Sequence, residues 1–188
     1  MDKPSAEAMR SRDYYIGITG HRNLGKDATR KFVAEQINSL LQGIKQEHEN
    51  TVALSALAEG ADRLFAEVAL RLGFRLEAVL PFEKYEQDFE PKASLPRFRH
   101  LLNKASKIHK MAYLNRSNEA YFAAGKWIVD HCDLLVAVWD GRPSAGKGGT
   151  ADVVHYAVSK GRAVVHVDII NEGVRHIQAQ KAGKHGQV

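Results

Sequence analysis

The apolar positions of this chain fall into two alternating rhythms. Short runs such as Tyr14 to Thr19, Val52 to Leu57, Leu76 to Leu80, Leu134 to Trp139 and Ala163 to Asp168 are apolar with little interruption. Between them, apolar residues recur at three- and four-residue spacing, as in Phe32, Val33, Ile37, Leu40, Leu41 and Ile44. The first rhythm predicts strands buried on both faces, and the second predicts amphipathic helices. Helices are expected from Asp27, as N-cap, to near His48, from the Gly60 turn to Leu72 with Gly73 as the stop, and from Pro96 to about Ala105. Two more are expected at Asn118 to His131 and at Thr150 to Lys160, and a further strand near Ile108 to Tyr113. Strand and helix alternate throughout, which predicts an α/β, doubly wound, mainly parallel sheet with helices on both faces.

The alternation spans residues 14–168 as a single domain, with no internal repeat or linker. Residues 1–13 and 169–188 read as flexible termini, the second of them polar with Gly183 and Gly186. The stretch 82–95 carries Pro91, is followed by Pro96, and reads as a flap or long connection. In a parallel sheet all strands deliver their carboxyl ends to one edge, where ligands bind. The residues that follow the strands are polar or special: Gly20-His21-Arg22, Glu59-Gly60-Ala61-Asp62-Arg63, Pro81-Phe82-Glu83, and a glycine-rich loop from Asp140 to Asp152.

That last loop discharges a buried strand through Gly141, Gly146, Gly148 and Gly149 into a helix beginning at Thr150. Glycines let the backbone approach a ligand, and the free N–H groups of a helix start favour a phosphate or carboxylate. Arg22 offers a planar fork to the same kind of anion, and Asp62 either caps its helix or accepts from a ribose hydroxyl. Other chemistries are not supported. Gly17-Ile18-Thr19-Gly20 lacks the third glycine of a dinucleotide fingerprint, and Lys147 precedes the last glycines with no Ser or Thr after it, unlike a Walker loop. The histidines show no metal-ligand spacing and there is one cysteine, so neither a metal nor another cofactor is expected. Cys132 reads as a buried structural residue, His131, His155 and His166 as structural or surface residues, and Trp127 and Trp139 as core residues.

The composition, 44% hydrophobic and 26% charged, is that of a globular domain, with no run long enough for a membrane span. With no apolar leader at Met1 to Ser5 and a lone cysteine, a cytoplasmic location is expected. The net charge of +5 is unevenly placed. Lys92, Arg97, Arg99, Lys104, Lys107, Lys110 and Arg116 share a stretch without an acid, which reads as a solvated helix face, an attractor of phosphate ligands, or a track for nucleic acid.

The strand end Gly20-His21-Arg22, then Glu59-Gly60-Ala61-Asp62-Arg63-Leu64 with Ala66-Glu67 and Ala69, then Pro81, then Gly149-Thr150-Ala151-Asp152-Val153-Val154 with Ala157, resemble the SLOG superfamily. They look most like its YspA-type and YpsA-type branches. The resemblance covers residues 14–168 and implies a Rossmann-like fold, a nucleotide or nucleotide-derived ligand, and a homodimer or higher homo-oligomer. It implies ligand contacts at Gly20, His21, Arg22, Gly60, Asp62, Arg63, Pro81, Gly141, Gly148, Gly149, Thr150 and Asp152.

The enzymatic LOG phosphoribohydrolases of that superfamily carry a P-G-G-x-G-T-x-x-E signature. Aligning Gly149-Thr150 with its G-T leaves Ala145 at the proline, Gly146 and Lys147 at the two glycines, and Val153 at the catalytic glutamate. Valine cannot activate water, and Asp152, one position earlier, is turned by about 100 degrees on a helix. Three classes of function therefore stand. The first is binding, or sensing, of a ligand such as ADP-ribose or a nucleoside phosphate. The second is N-glycosidic bond cleavage in a nucleoside 5′-monophosphate, with Asp152, Asp62 or Glu59 as the candidate catalytic carboxylate. The third is a nucleic-acid-binding module.

Overall fold

The computed structural model describes residues 12–144 and 148–177. Residues 1–11, 178–188 and Ala145 to Lys147 lie outside them, and with them most of the expected flexible termini and three residues of the glycine loop. In chain order the elements are β1 (Tyr14–Gly20), α1 (Asp27–Glu47), β2 (Thr51–Ser55), α2 (Ala61–Arg71) and β3 (Arg75–Leu80). A 3-10 turn (Tyr85–Asp88) leads to α3 (Leu95–Lys104), β4 (Lys107–Lys110), α4 (Asn118–His131) and β5 (Leu134–Trp139). The chain then forms α5 (Thr150–Ser159), β6 (Ala163–Asp168) and β7 (Gly173–Ile177).

These strands make one seven-stranded sheet in the order β4-β3-β2-β1-β5-β6-β7. Every neighbouring pair is parallel except β6 and β7. The first half of the chain winds outward from β1 to β4, and the second starts again on the other side of β1 with β5. Right-handed crossovers of such a chain put the two sets of helices on opposite faces. On one face Val33, Ile37 and Leu41 of α1, Phe65, Ala66 and Ala69 of α2, and Phe98 and Leu101 of α3 pack with Ile16 and Ile18 of β1. On the other, Ala124, Ile128 and Val129 of α4 and Val153, Val154 and Ala157 of α5 pack with Leu135 and Ala137 of β5. The period of two along each central strand feeds both cores, which is why these strands are apolar throughout.

The structure revises several boundaries. The tail expected to be flexible contributes β7, which pairs antiparallel with β6 from Asp168↔Gly173 to Val164↔Ile177. Its side chains are largely exposed, so it carries no hydrophobic signal. The hold is polar instead: the Asp168 carboxylate accepts from the Ile170 and Asn171 amides and the Arg175 guanidinium, and Arg175 also donates to His166. Arg12 and Asp13 are likewise tied down, through ion pairs with Asp133 and Arg75. Asp27 is the first helical residue of α1 and not its cap, a position taken by extended Lys26. The carboxylate sits in the first turn, where it complements the helix dipole. Cys132 is buried as expected, and burial pushes its thiol up to about 12.

Gly60 fixes the entry to α2. Its φ is +77°, and a Cβ there would lie 2.3 Å from the carbonyl oxygens of both His21 and Arg22. A side chain would meet strain and a backbone clash at once. Gly60→Ala is therefore expected to lower the unfolding free energy by about 3 kcal/mol, beyond the cost of backbone strain alone. Urea denaturation checks this, and an unchanged midpoint would show that the two loops are not in contact.

Candidate ligand-binding site

The strand order reverses between β1 and β5, and there the loops that leave the two strands part in opposite directions. Main-chain bonds fix His21 at this point. The His21 amide donates to the Val138 carbonyl at 3.0 Å, and the His21 carbonyl accepts from the Ala61 amide at 3.1 Å. A cleft of about 570 Å³ opens at this edge, between the ends of β1 and β5 and the first turns of α4 and α5. An open α/β sheet binds ligands at this switch point because the loops diverge and the helix starts point their N–H groups into the gap.

Two kinds of surface line the cleft. Ile18, Ala56, Ala58, Ala124, Trp139 and Val153 form apolar walls, while Arg22, Arg116 and Arg142 bring positive charge to its polar portion. The α5 helix starts at Thr150 with extended Gly149 as N-cap and no side-chain cap. The α4 start is capped by Ser117, whose hydroxyl accepts from the Ala120 amide. Gly148, at φ +89°, passes so close to α4 that a Cβ would lie 2.5 Å from the Asn118 carbonyl oxygen. That contact sets the distance between the glycine loop and α4.

The arginines are organised by a buried acid. Asp88, whose side chain is only 3% exposed, accepts from one terminal nitrogen of Arg22 at 2.9 Å and lies 3.7 Å from Arg116. The Tyr121 hydroxyl donates to the same carboxylate, and Arg22 and Arg116 both lie over the Tyr121 ring. A guanidinium has five N–H donors, so an Arg22 anchored through one nitrogen keeps others for a ligand. Opposite, Asp140 lies 3.2 Å from the His21 Nε2. The Arg142 amide, aided by the His21 side chain, holds the Asp140 carboxyl below its ordinary range.

Asp62 is buried at the cleft. Burial pushes its carboxyl up to about 7, against the opposing pull of the Ala58 amide, Arg22, the Ala56 amide and Arg63. Beside the same cleft, Tyr85 is buried and its hydroxyl has no hydrogen-bond partner among the described residues. Burial raises the Tyr85 hydroxyl far above the usual tyrosine range, so it is a neutral donor.

The expected site residues divide. Gly20, His21, Arg22, Asp62, Pro81, Gly148, Gly149 and Thr150 line the one cleft. Gly60 lies behind it and Gly141 outside it, each at positive φ. Arg63 points away, donating to the Leu57 carbonyl and to Ser94, and stacks its guanidinium 4.5 Å from the Phe89 ring centroid. It ties segment 82–94 to α2. Glu59 accepts from the Ser94 hydroxyl in that same cluster. The Asp152 carboxylate accepts from the Gly148 amide at 2.7 Å and so closes the glycine loop on its own helix. Of the three candidate carboxylates, only Asp62 lines the cleft.

Tyr85, Asp88 and Tyr121 carried no local signal, and Trp139 lines the cleft as well as packing in the core. Of segment 82–95, Tyr85 lines the cleft and Asp88 holds Arg22. The basic stretch is partly neutralised: Arg97 pairs with Glu67, Arg99 with Glu86 and Arg116 with Asp88. Among the described residues no helix is long and apolar enough to cross a membrane.

Fold and site together define an α/β Rossmann-like domain with its cleft at the switch point of the sheet. No protein-family model matches the chain, and no curated protein matches it. Solved structures do. DNA processing protein A from Streptococcus pneumoniae superposes with a TM-score of 0.59 at 19% identity, covering 85% of this chain and 52% of that one. The Helicobacter pylori protein of the same name, described for its single-stranded DNA binding mode, gives 0.57 at 14% identity, covering 85% and 70%. TM1055, a structural-genomics target, gives 0.51 at 15%, covering 80% and 72%. At such identities the likeness is one of fold. This chain spans about half the length of the Streptococcus pneumoniae protein.

The Asp62 environment has a consequence for stability. Its ordinary value is 3.8 and its folded value about 7, so the folded state holds a proton that the unfolded chain has released across that window. Stability contributed through this group is present at the acid end and is lost as pH rises from about 4 through 7. Asp62→Asn should match the parent near pH 4 and exceed it at pH 8 by on the order of 2 kcal/mol in urea unfolding. Parallel pH profiles for the two proteins would contradict the assignment.

Proposed function

We propose that this protein binds a phosphate-bearing, nucleotide-derived small molecule, such as ADP-ribose or a nucleoside phosphate, in the cleft between β1 and β5. The observation that carries the reading is the convergence there of Arg22, Arg116 and Arg142 with the start of α5 at Gly149 and Thr150, where Ser144 takes the Asp152 amide. Backbone N–H groups and guanidinium forks are the donors that phosphate oxygens accept from. The apolar walls offer a place for a base, and the volume suits a ligand of nucleotide size. The motifs resembling the YspA-type and YpsA-type branches support the same reading, and a homo-oligomer belongs to it.

A second reading, cleavage of an N-glycosidic bond, is favoured by one feature. Asp62 is a buried carboxyl at the cleft whose proton is exchanged near neutral pH, as a general acid or base requires. Glu59 and Asp152 are occupied elsewhere, so under this reading the chemistry falls to Asp62. Single-stranded DNA, the partner of the Helicobacter pylori neighbour, is less favoured, because Arg97 and Arg99 are already paired with acids.

A thermal-shift screen against nucleoside mono- and diphosphates and ADP-ribose tests the proposal, because a ligand that prefers the folded state raises its apparent stability. A stabilising nucleotide should be recovered intact by chromatography, and Arg22→Ala should weaken it by about tenfold or more. Release of free base, lost in Asp62→Asn with binding retained, would establish the second reading instead. Binding indifferent to Arg22→Ala would contradict both.

A further inference from the structure

The polar groups of the cleft are not evenly spread. Asp62 and Tyr85 line the cleft together with Arg22, which lies over the Tyr121 ring 6.5 Å from that of Tyr85, whereas Trp139, Ala124 and Val153 make the wall nearer α4 and α5. The acid offers acceptor oxygens and the phenol a donor, and both residues are buried. Nothing in the fold uses the Tyr85 hydroxyl: it has no hydrogen-bond partner among the described residues, while its ring is held edge-on by Phe82, Phe89 and Phe98. A buried hydroxyl left unpaired is destabilising, so a tyrosine where phenylalanine would fit the aromatic cluster calls for a partner that arrives from outside.

We propose that Asp62 and Tyr85 form a sugar subsite that takes the vicinal hydroxyls of a ribose, next to a phosphate held by Arg22. The 3-hydroxyl donates to the Asp62 carboxylate and the 2-hydroxyl accepts from the Tyr85 O–H. The position beside Arg22 selects the sugar over the base, because in a nucleoside phosphate the sugar is the part joined to the phosphate. The base then falls to the apolar wall. The inference rests on the phosphate-binding reading above and narrows its ligand to the ribo series. A site built to hydrogen-bond a hydroxyl rejects the analogue that lacks it, since its own polar groups are left unpaired.

Calorimetric titration with three probes tests this: inorganic phosphate, ribose 5-phosphate and 2-deoxyribose 5-phosphate, none of which carries a base. The parent should bind ribose 5-phosphate about tenfold more tightly than the deoxy sugar, the effect of one hydrogen bond to a charged or buried group. Tyr85→Phe should bring that ratio toward one and leave inorganic phosphate binding unchanged. The variant loses only an unpaired hydroxyl and should fold with a Tm at or above the parent's. Asp62→Asn should weaken both sugars by about the same factor, because the 3-hydroxyl is common to them.

Equal affinity for the two sugars in the parent, or a ratio unmoved by Tyr85→Phe, would overturn the subsite. If phosphate binding and its loss in Arg22→Ala persist under that outcome, the subsite alone falls. If none of the three probes binds, the phosphate-binding reading falls with it.

Discussion

Everything in the cleft hangs on the main chain of one residue. His21 leaves β1 with its amide bonded to Val138 of β5 and its carbonyl bonded to Ala61 at the start of α2. This pair of bonds ties the central strand to both halves of the doubly wound sheet. Gly60 presses against the same carbonyl because nothing larger than hydrogen fits at its α-carbon. Arg22 follows directly, so its guanidinium starts from a backbone fixed on three sides. The orientation of the first cationic group is thus set by covalent neighbours and short backbone bonds, and not by a long flexible loop.

Beyond that stitch the site is built against the grain of stability. Asp88, Asp62 and Tyr85 are polar groups in buried positions, and burial of such groups is costly unless each finds a partner. Asp88 finds two arginines and a tyrosine, Asp62 has backbone amides, and Tyr85 has none among the described residues. Departures from an apolar core of this kind cluster where a fold meets a ligand. Elsewhere polar groups meet protein partners: Arg63 donates to Ser94, which donates to Glu59, although one Arg63 nitrogen is left without a partner among the described residues, and Asp152 accepts from the turn before α5.

The sheet was legible in the sequence because five of its six parallel strands are buried on both faces and announce themselves as apolar runs. β7 was not, since an edge strand held by Asp168 and Arg175 looks like any polar tail. The expected site residues that line the cleft follow a strand end, as Gly20, His21, Arg22 and Pro81 do, or sit at a helix start, as Asp62 and Gly148 to Thr150 do. Topology alone brings them together. Asp88 and Tyr121 escaped notice because Asp88 lies 66 positions from Arg22 and 33 from Tyr121, separations at which no spacing rule applies. Arg63 and Asp152 show the converse limit. Residue type and position suggested ligand contact, yet a difference of one helical position turned each toward a protein partner.

The central claim is that anions are bound by backbone and guanidinium donors at the meeting of β1, β5 and α5. Titration of the 15N-labelled protein with inorganic phosphate, followed by amide chemical shifts, tests it most directly. The account predicts saturable shifts concentrated at Gly20 to Arg22 and Gly148 to Ala151. Shifts centred instead on Lys104, Lys107 and Lys110, or none at all, would contradict it.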